Sequence, residues 1–371
     1  MADTMFFSRD TKVFVAPLDP ADGTTEQGVF EIPVLDGFSF SQATNTSEVT
    51  LNEMSAGSDV SRRGRKMFND SYAPAEWSFS TYARPFKSGG SGAGAADTVA
   101  DTHHAVEEVL CALMVGDADY GSSTFTGFTA DTTDLDIDFD SSNKTKLGTA
   151  NIYFVLGGTT GESTVTYKIA NCCVNEVSID FDIDGIATLN WSGMGTIITE
   201  DSEPTRTVYE AVTSTGNFIR NRLTELAASS TVPGSVTYAL TLTGGNITVS
   251  NNMTFLTPET LGVVNQPLGH VTGTRSVSGN FTCYLNNASN SSMDLFENII
   301  EGVDTVTNDF DLNFKIGGAA GTPRLEMAMA ACHLEVPTHS IDDVISVEVN
   351  FHALGTDIES TDELTVKYVG A

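Results

Sequence analysis

Apolar and polar residues alternate with period two along most of this chain, the pattern of strands with one buried face. Thr11–Pro17 reads as a first strand, in which Val13 and Val15 alternate with Lys12 and Phe14. Ile32–Leu51 follows, and within it Gly37–Thr44 alternates strictly, with Phe38 and Phe40 on the apolar side. A long polar loop, Asn52–Pro74, leads to a strand at Glu76–Arg84 that Pro85 ends. Closing strands are predicted at Lys168–Val174, Ser178–Asp184 and Ile186–Thr196, and again at Glu326–Leu334, Thr338–Asp342 and Ile345–Thr356. The period changes to that of a helix twice. Ala105–Met114 sets Val106, Val109, Leu110, Leu113 and Met114 on one face and stops at Gly116. The second helix carries Leu295, Phe296, Ile299 and Ile300, starts with a capping-box-like Ser291–Asp294, and has Gly302 behind it. Both apolar stripes are expected to pack on a sheet.

These elements occur in two sets. Phe154/Phe314, Gly158/Gly318, Cys172/Cys332, Asn190/Asn350 and Thr196/Thr356 are identical at a constant offset of 160. Earlier in the chain Phe38 and Phe40 match Ile247 and Val249 at an offset of 209, Phe79 and Tyr82 match Phe281 and Tyr284 at 202, and the helices match at 186. The falling offsets place extra residues in the first copy. Two such insertions are visible, the Gly/Ala/Ser-rich stretch at about 88–102 and the Asp/Thr/Ser-rich stretch at about 117–143. We read an internal duplication with a boundary near Pro204, giving modules 1–204 and 205–371, the second opened by Phe218–Arg220 as Val13–Val15 open the first.

Charge narrows the function. The 371 residues carry 49 acidic against 18 basic side chains, a net charge of −31. Static nucleic-acid binding works by neutralising phosphates with Lys and Arg, so this composition disfavours it. The bland explanation is solubility; the sharper one is a surface that repels a polyanion. The five cysteines are odd in number, lack CxxC spacing and read as reduced, buried small hydrophobes. Met1–Arg9 lacks the basic and apolar regions of a signal peptide, and no stretch approaches the ~18 apolar residues of a membrane span. HExxH, GxxxxGK[ST] and GxSxG are missing, and the six histidines show no ligand spacing. No catalytic residue, cofactor or metal is therefore expected. Asp134–Asp140, four aspartates alternating with Leu135, Ile137 and Phe139, suits either a solvated acidic strand face or a calcium site.

The alternating Phe38–Thr50 strand, the long loop, the Glu76–Arg84 strand, the single helix and the closing Asn190–Thr196 segment together resemble the tail tube proteins of long-tailed bacteriophages. In the second half the resemblance runs through Asn251–Pro258 and Gly273–Leu285. It implies a mainly β fold of two tandem duplicated β-sandwich or partly closed barrel modules, each with one flanking α-helix. Such modules oligomerise into a ring with a continuous inner β-barrel. The implied function is structural: a major tail tube subunit, assembled in the host cytoplasm, whose stacked rings make an acid-lined conduit for ejected double-stranded DNA. Implied partners are copies of itself in homotrimeric, pseudo-hexameric rings (hexameric rings being the alternative), other tail proteins, and DNA that passes without specific binding. No membrane partner is implied. The implied inter-ring contact lies on Asn52–Pro74, with Arg62, Arg63, Arg65 and Lys66, and on Thr257–Thr274 with Arg275 after it. Rival readings are a secreted or surface β-rich adhesin with calcium at Asp134–Asp140, and a hydrolase on a duplicated β scaffold.

Overall fold

A computed structural model of the chain describes residues 6, 8–49, 55–56, 60–61, 65–88, 100–116, 128–139, 147–157, 164–206, 217–230, 236–301, 310–319 and 322–370. The first half contributes β1 (Lys12–Pro17), β2 (Ser39–Val49), β3 (Lys66–Tyr82), α1 (Glu108–Val115), β4 (Asp134–Asp138), β5 (Ala150–Leu156), β6 (Val165–Asp182) and β7 (Thr188–Gly195). The second contributes β8 (Glu225–Ser230), β9 (Leu242–Ser250), β10 (Ser276–Tyr284), α2 (Ser292–Glu301), β11 (Phe310–Gly317), β12 (Arg324–Leu334), β13 (Thr338–Ser340), β14 (Ser346–Ala353) and β15 (Thr365–Val369). The fold is mainly β, as its alternation predicts, with two helices among the described residues.

Eight strands run side by side in the order β2–β3–β7–β6–β9–β10–β14–β13, every neighbouring pair antiparallel. The junction between the halves is the pair β6–β9, where Glu176–Asp182 oppose Ser250–Gly244. The expected partial barrel is not closed: among the described residues β2 and β13 each have one partner strand, so the sheet is open at both ends. One apolar core runs under both halves and includes Trp77, Phe154, Trp191, Phe281, Phe314 and Phe351. The Trp191 indole N–H is satisfied there by Thr81 Oγ1 at 2.9 Å.

Two predicted strands, Lys168–Val174 and Ser178–Asp184, are one continuous strand, β6. Its first half pairs with β5 and its second with β7 and β9. Asn171, in the left-handed region at φ 49°, lies where the partner changes. The hairpins β5–β6 and β11–β12 share a register. Ala150↔Cys172, Ile152↔Ile169 and Phe154↔Tyr167 recur as Phe310↔Cys332, Leu312↔Met329 and Phe314↔Met327, all at the offset of 160, with the bulge in the same place. The ladders keep the offset of 202, since Phe79 opposes Trp191 and Phe281 opposes Val349. The slip lies in β14: Cys173 opposes Met194 but His333 opposes His352, so β14 is offset from β7 by 158 rather than 160. A slip of two leaves every side chain on its own face, so alternation alone cannot detect it. The strand that opens the second half is β8, paired with β11 as β1 is with β5. Phe218–Arg220 precedes it: Phe218 packs edge-on against Tyr82 at 5.3 Å, and Arg220 bridges to Ile186.

The loop predicted at Asn52–Pro74 is shorter. Lys66–Pro74 already belongs to β3, which forms with β2 a long hairpin whose outer part is exposed. Pro74 is tolerated inside this strand because it sits at a bulge: Gln42 opposes Ala75 and Thr44 opposes Tyr72, so two residues face Ala43 and one needs no ladder bond. The helices differ in burial. α2 keeps one face in water, with Met293 and Ile300 exposed, while every residue of α1 is buried. The difference traces to residues 128–139, whose strand β4 pairs with β15, itself paired with β12. In β4, Leu135 and Ile137 face inward. Asp136 is bound by the Lys367 ammonium at 2.5 Å, and Thr365 Oγ1 reaches Asp138 at 3.4 Å. Asp140 lies outside the described residues.

Gly193 shows how tightly the sheet packs. A Cβ there would stand 2.1 Å from the Cys173 carbonyl oxygen and 2.5 Å from Trp77 Cζ2. Gly193→Ala is expected to cost on the order of 1–3 kcal/mol in denaturant unfolding, as overpacked cores do; an unchanged midpoint would contradict this packing.

Candidate functional surface

Alternation along the eight strands separates two chemistries. Core-facing positions hold Val, Ile, Phe and Trp; the opposite face holds small hydroxyls, amides and scattered carboxylates. Neighbouring ladders line these up in transverse rows. One row reads Thr188–Asp180–Asn246–Asn280–Asn350, and the next reads Ser80–Asn190–Ser178–Thr248–Ser278–His352. Asp180 is held by Asn246 Nδ2 at 2.5 Å and Asn190 Nδ2 at 3.4 Å. Asn190 in turn accepts from Ser80 Oγ at 2.7 Å, and Asn350 donates to Glu335 at 2.9 Å. Glu76, Glu176, Asp182 and Glu348 share this face through the same alternation. None of these positions carries Lys or Arg, so the face offers hydrogen bonds and negative charge but no phosphate clamp.

The halves are joined on both faces of the sheet. Across β6–β9, Val177 meets Val249 and Ile179 meets Ile247 on the core side. Phe181, 3% exposed, reaches into the second half, its ring 5.5 Å from that of Phe314.

The residues predicted for the inter-ring contact are not brought together as a set. Arg62 and Arg63 lie outside the described residues. Arg65 is exposed at the outer end of the β2–β3 hairpin, paired with Glu48 across it, and Lys66 lies over the Phe68 ring at 5.1 Å. The hydrogen bond from Arg65 holds the Glu48 carboxyl below its usual range. Met67, Phe68 and Val49 add exposed apolar surface at this end. Arg275 sits elsewhere. It is 13% exposed, lies 5.3 Å from the Phe139 ring, and donates to the Phe139 carbonyl at 2.6 Å and to Glu363 at 3.4 Å.

Sequence reasoning missed a buried ionisable cluster at the start of α1, because the carboxylates there fall off its predicted apolar stripe. His104 Nδ1 lies 3.0 Å from Glu108, which also accepts from the Ala105 amide at 2.9 Å. Glu107 is fully buried and accepts from the Arg84 amide at 3.0 Å. Burial raises its carboxyl from 4.5 to about 7, opposed by hydrogen bonds from Tyr368 and Arg84 and by the Arg84 charge. The partners make this cluster a clasp between α1 and β15 rather than a reactive centre: burial also pushes the Cys111 thiol and Tyr368 hydroxyl up, away from their reactive ionised forms. Between pH 4.5 and 7 the folded chain holds a proton on Glu107 that the unfolded chain has released. Stability is therefore greatest below that window and falls as pH rises through it, by on the order of 3 kcal/mol at most. Glu107→Gln is expected to flatten this fall, melting near wild type at pH 4 and higher than wild type at pH 8. Parallel melting-temperature curves for the two proteins would contradict it.

Comparison with known proteins gives the family. The sequence profile of a family described as phage tail tube protein matches residues 20–353. Tail tube protein pb6 of Escherichia phage T5 is 31% identical over 364 residues, an alignment covering 96% of this chain and 74% of pb6. Both matches cross the β6–β9 junction and take in both halves. The protein is a structural subunit of the virion tail, and the chain belongs to the phage tail tube protein family.

Proposed function

We propose that the chain is a duplicated tube module, that three copies close into a pseudo-sixfold ring, and that stacked rings form an acid-lined passage for double-stranded DNA. The observation carrying this reading is the eight-stranded sheet that spans both halves yet ends in two open edges. Unpaired edge N–H and C=O groups invite another strand, and a ring of copies satisfies every one of them. The hairpin register shared between the halves supports two equivalent modules per chain. The row of hydroxyls, amides and carboxylates suits the lumen. A wall without Lys or Arg, on a chain of net charge −31, lets a polyanion slide because it offers phosphates nothing to hold.

Stacking is assigned to the β2–β3 hairpin, whose outer end carries Arg62, Arg63, Arg65 and Lys66 in an otherwise acidic chain. It would dock on the acidic surface of the adjoining ring. Arg275 takes no part, since its guanidinium is engaged within its own chain.

Electron microscopy of purified protein is expected to show hollow rings or tubes, and native mass measurement three chains per ring. A closed ring of six chains would remove the pseudo-sixfold arrangement, and a persistent monomer the whole reading. Replacing residues 50–65 by a tight turn should leave rings that no longer stack. The triple change Arg62→Glu, Arg63→Glu, Arg65→Glu should shorten tubes most at low salt, where charge pairing is least screened. Tubes of wild-type length from both variants would sink the stacking assignment.

A further inference from the structure

The chain carries a template for its own contact with a neighbour. We infer that the edge strand β13, continued to Ile341, pairs antiparallel with β2 of a second copy, and that Ile341 anchors this contact as a wedge; the inference rests on the ring reading above.

The template is the β6–β9 junction. There Phe181 crosses from one half into the core of the other, and Ser178 opposes Thr248 on the polar side. Moving the first partner forward by the offset of 160 turns Ser178 into Thr338 and Phe181 into Ile341. The ladders match Asn246 to Ser39 through Asn280 and Ser78, so moving the second partner back by 207 turns Ile247 and Thr248 into Phe40 and Ser41, and Phe314 becomes Phe154 at the hairpin offset.

The features needed at both ends are present and unused. Ile341 is 79% exposed where its counterpart Phe181 is buried, and Val336 and Val344 beside it are also exposed. On the receiving side Phe38 and Phe40 are only partly buried and stack over Phe154 at 5.9 and 4.6 Å, an aromatic floor next to the open edge of β2. Thr338 would meet Ser41 and Ser340 would meet Ser39 on the polar face, continuing the hydroxyl rows without burying a charge. One difference matters. β13 has three residues, and Pro337 just before it has no N–H, so this contact has fewer ladder bonds than the seven residue pairs of β6–β9. More of its hold must come from apolar burial, which falls to Ile341.

Ile341→Asp tests the wedge. Because the side chain is exposed in the single chain, the variant should keep the wild-type circular dichroism and melting curve, yet sediment as a monomer under conditions where wild type forms rings. Ile341→Met should still assemble. Independently, the double variant Ser41→Cys, Thr338→Cys should oxidise into covalently linked chains on a non-reducing gel, with wild type, whose cysteines are all buried, as the control. Intact Ile341→Asp rings, or intact rings of the double-cysteine variant that yield no linked chains, would overturn the assignment while leaving the ring itself standing. A wild-type protein that never forms rings would remove both.

Discussion

Backbone hydrogen bonding at strand edges is the constraint from which the rest of this structure follows. A β-module of this size has two edges, and each presents N–H and C=O groups that must find partners or water. The chain removes two of its four edges internally by laying β6 against β9. β6 can do this because it is long and changes partner part-way: one end belongs to the hairpin with β5, the other to the eight-stranded sheet. The left-handed Asn171 and the bulge between Val174 and Glu176 sit in the stretch where that change occurs. A single strand thereby links the first half's outer hairpin to the sheet and the first half to the second.

The same junction fixes which side chains can be large. Facing the core, Phe154, Trp191, Phe281, Phe314 and Phe351 fill the space beneath the sheet, and Gly193 and Gly279 leave room for Trp77 and Phe351. Facing the other way, nothing needs filling, and the rows are built from short side chains that bond one another across strands. Asp180 shows the logic. Two asparagine amides solvate its carboxylate, so the charge stays on the face without a cationic partner. A lysine there would hold the acid equally well but would also hold a phosphate.

How much of this is legible in the sequence depends on the kind of information each residue carries. Alternation marks the strands and their faces, and the apolar stripes and Gly116 mark both helices, because periodicity and backbone strain are local. The offset of 160 is readable from Phe154/Phe314 and Cys172/Cys332, and the same pairs occupy matching ladder positions. What fails is whatever a partner strand decides. Pro74 looks like the end of a loop because the bulge that tolerates it exists only once β2 is paired. The offset of 160 matches Trp191 to Phe351, although the ladders set Val349 in the place of Trp191; a two-residue slip costs nothing on either face and leaves no trace in the alternation. Arg275 looks like a loop cation because Phe139 and Glu363, which bind it, are far away in sequence. Glu107 and Glu108 look solvent-facing because their covering, β4 and β15, comes from an insertion and from the chain end.

The two halves differ in chemistry where they protrude. The first hairpin is basic at its tip. Its counterpart in the second half, the segment from Thr254 to Val271, is apolar, with Leu256, Leu261, Val263, Val264 and Leu268 exposed. It also folds back on the first half. Asn265 exchanges backbone hydrogen bonds with Asp70 and Tyr72 at 3.1 and 2.8 Å. His270 accepts from the Leu147 amide at 3.0 Å and lies 3.1 Å from Cys173 Sγ, above a small cluster of Leu147, Met253 and Phe255. The second half thus uses its protrusion as a strap within the chain, whereas the described outer end of the first hairpin exposes Arg65 and Lys66. Two unlike halves of one chain can therefore divide between them tasks that two identical halves would have to perform with one sequence.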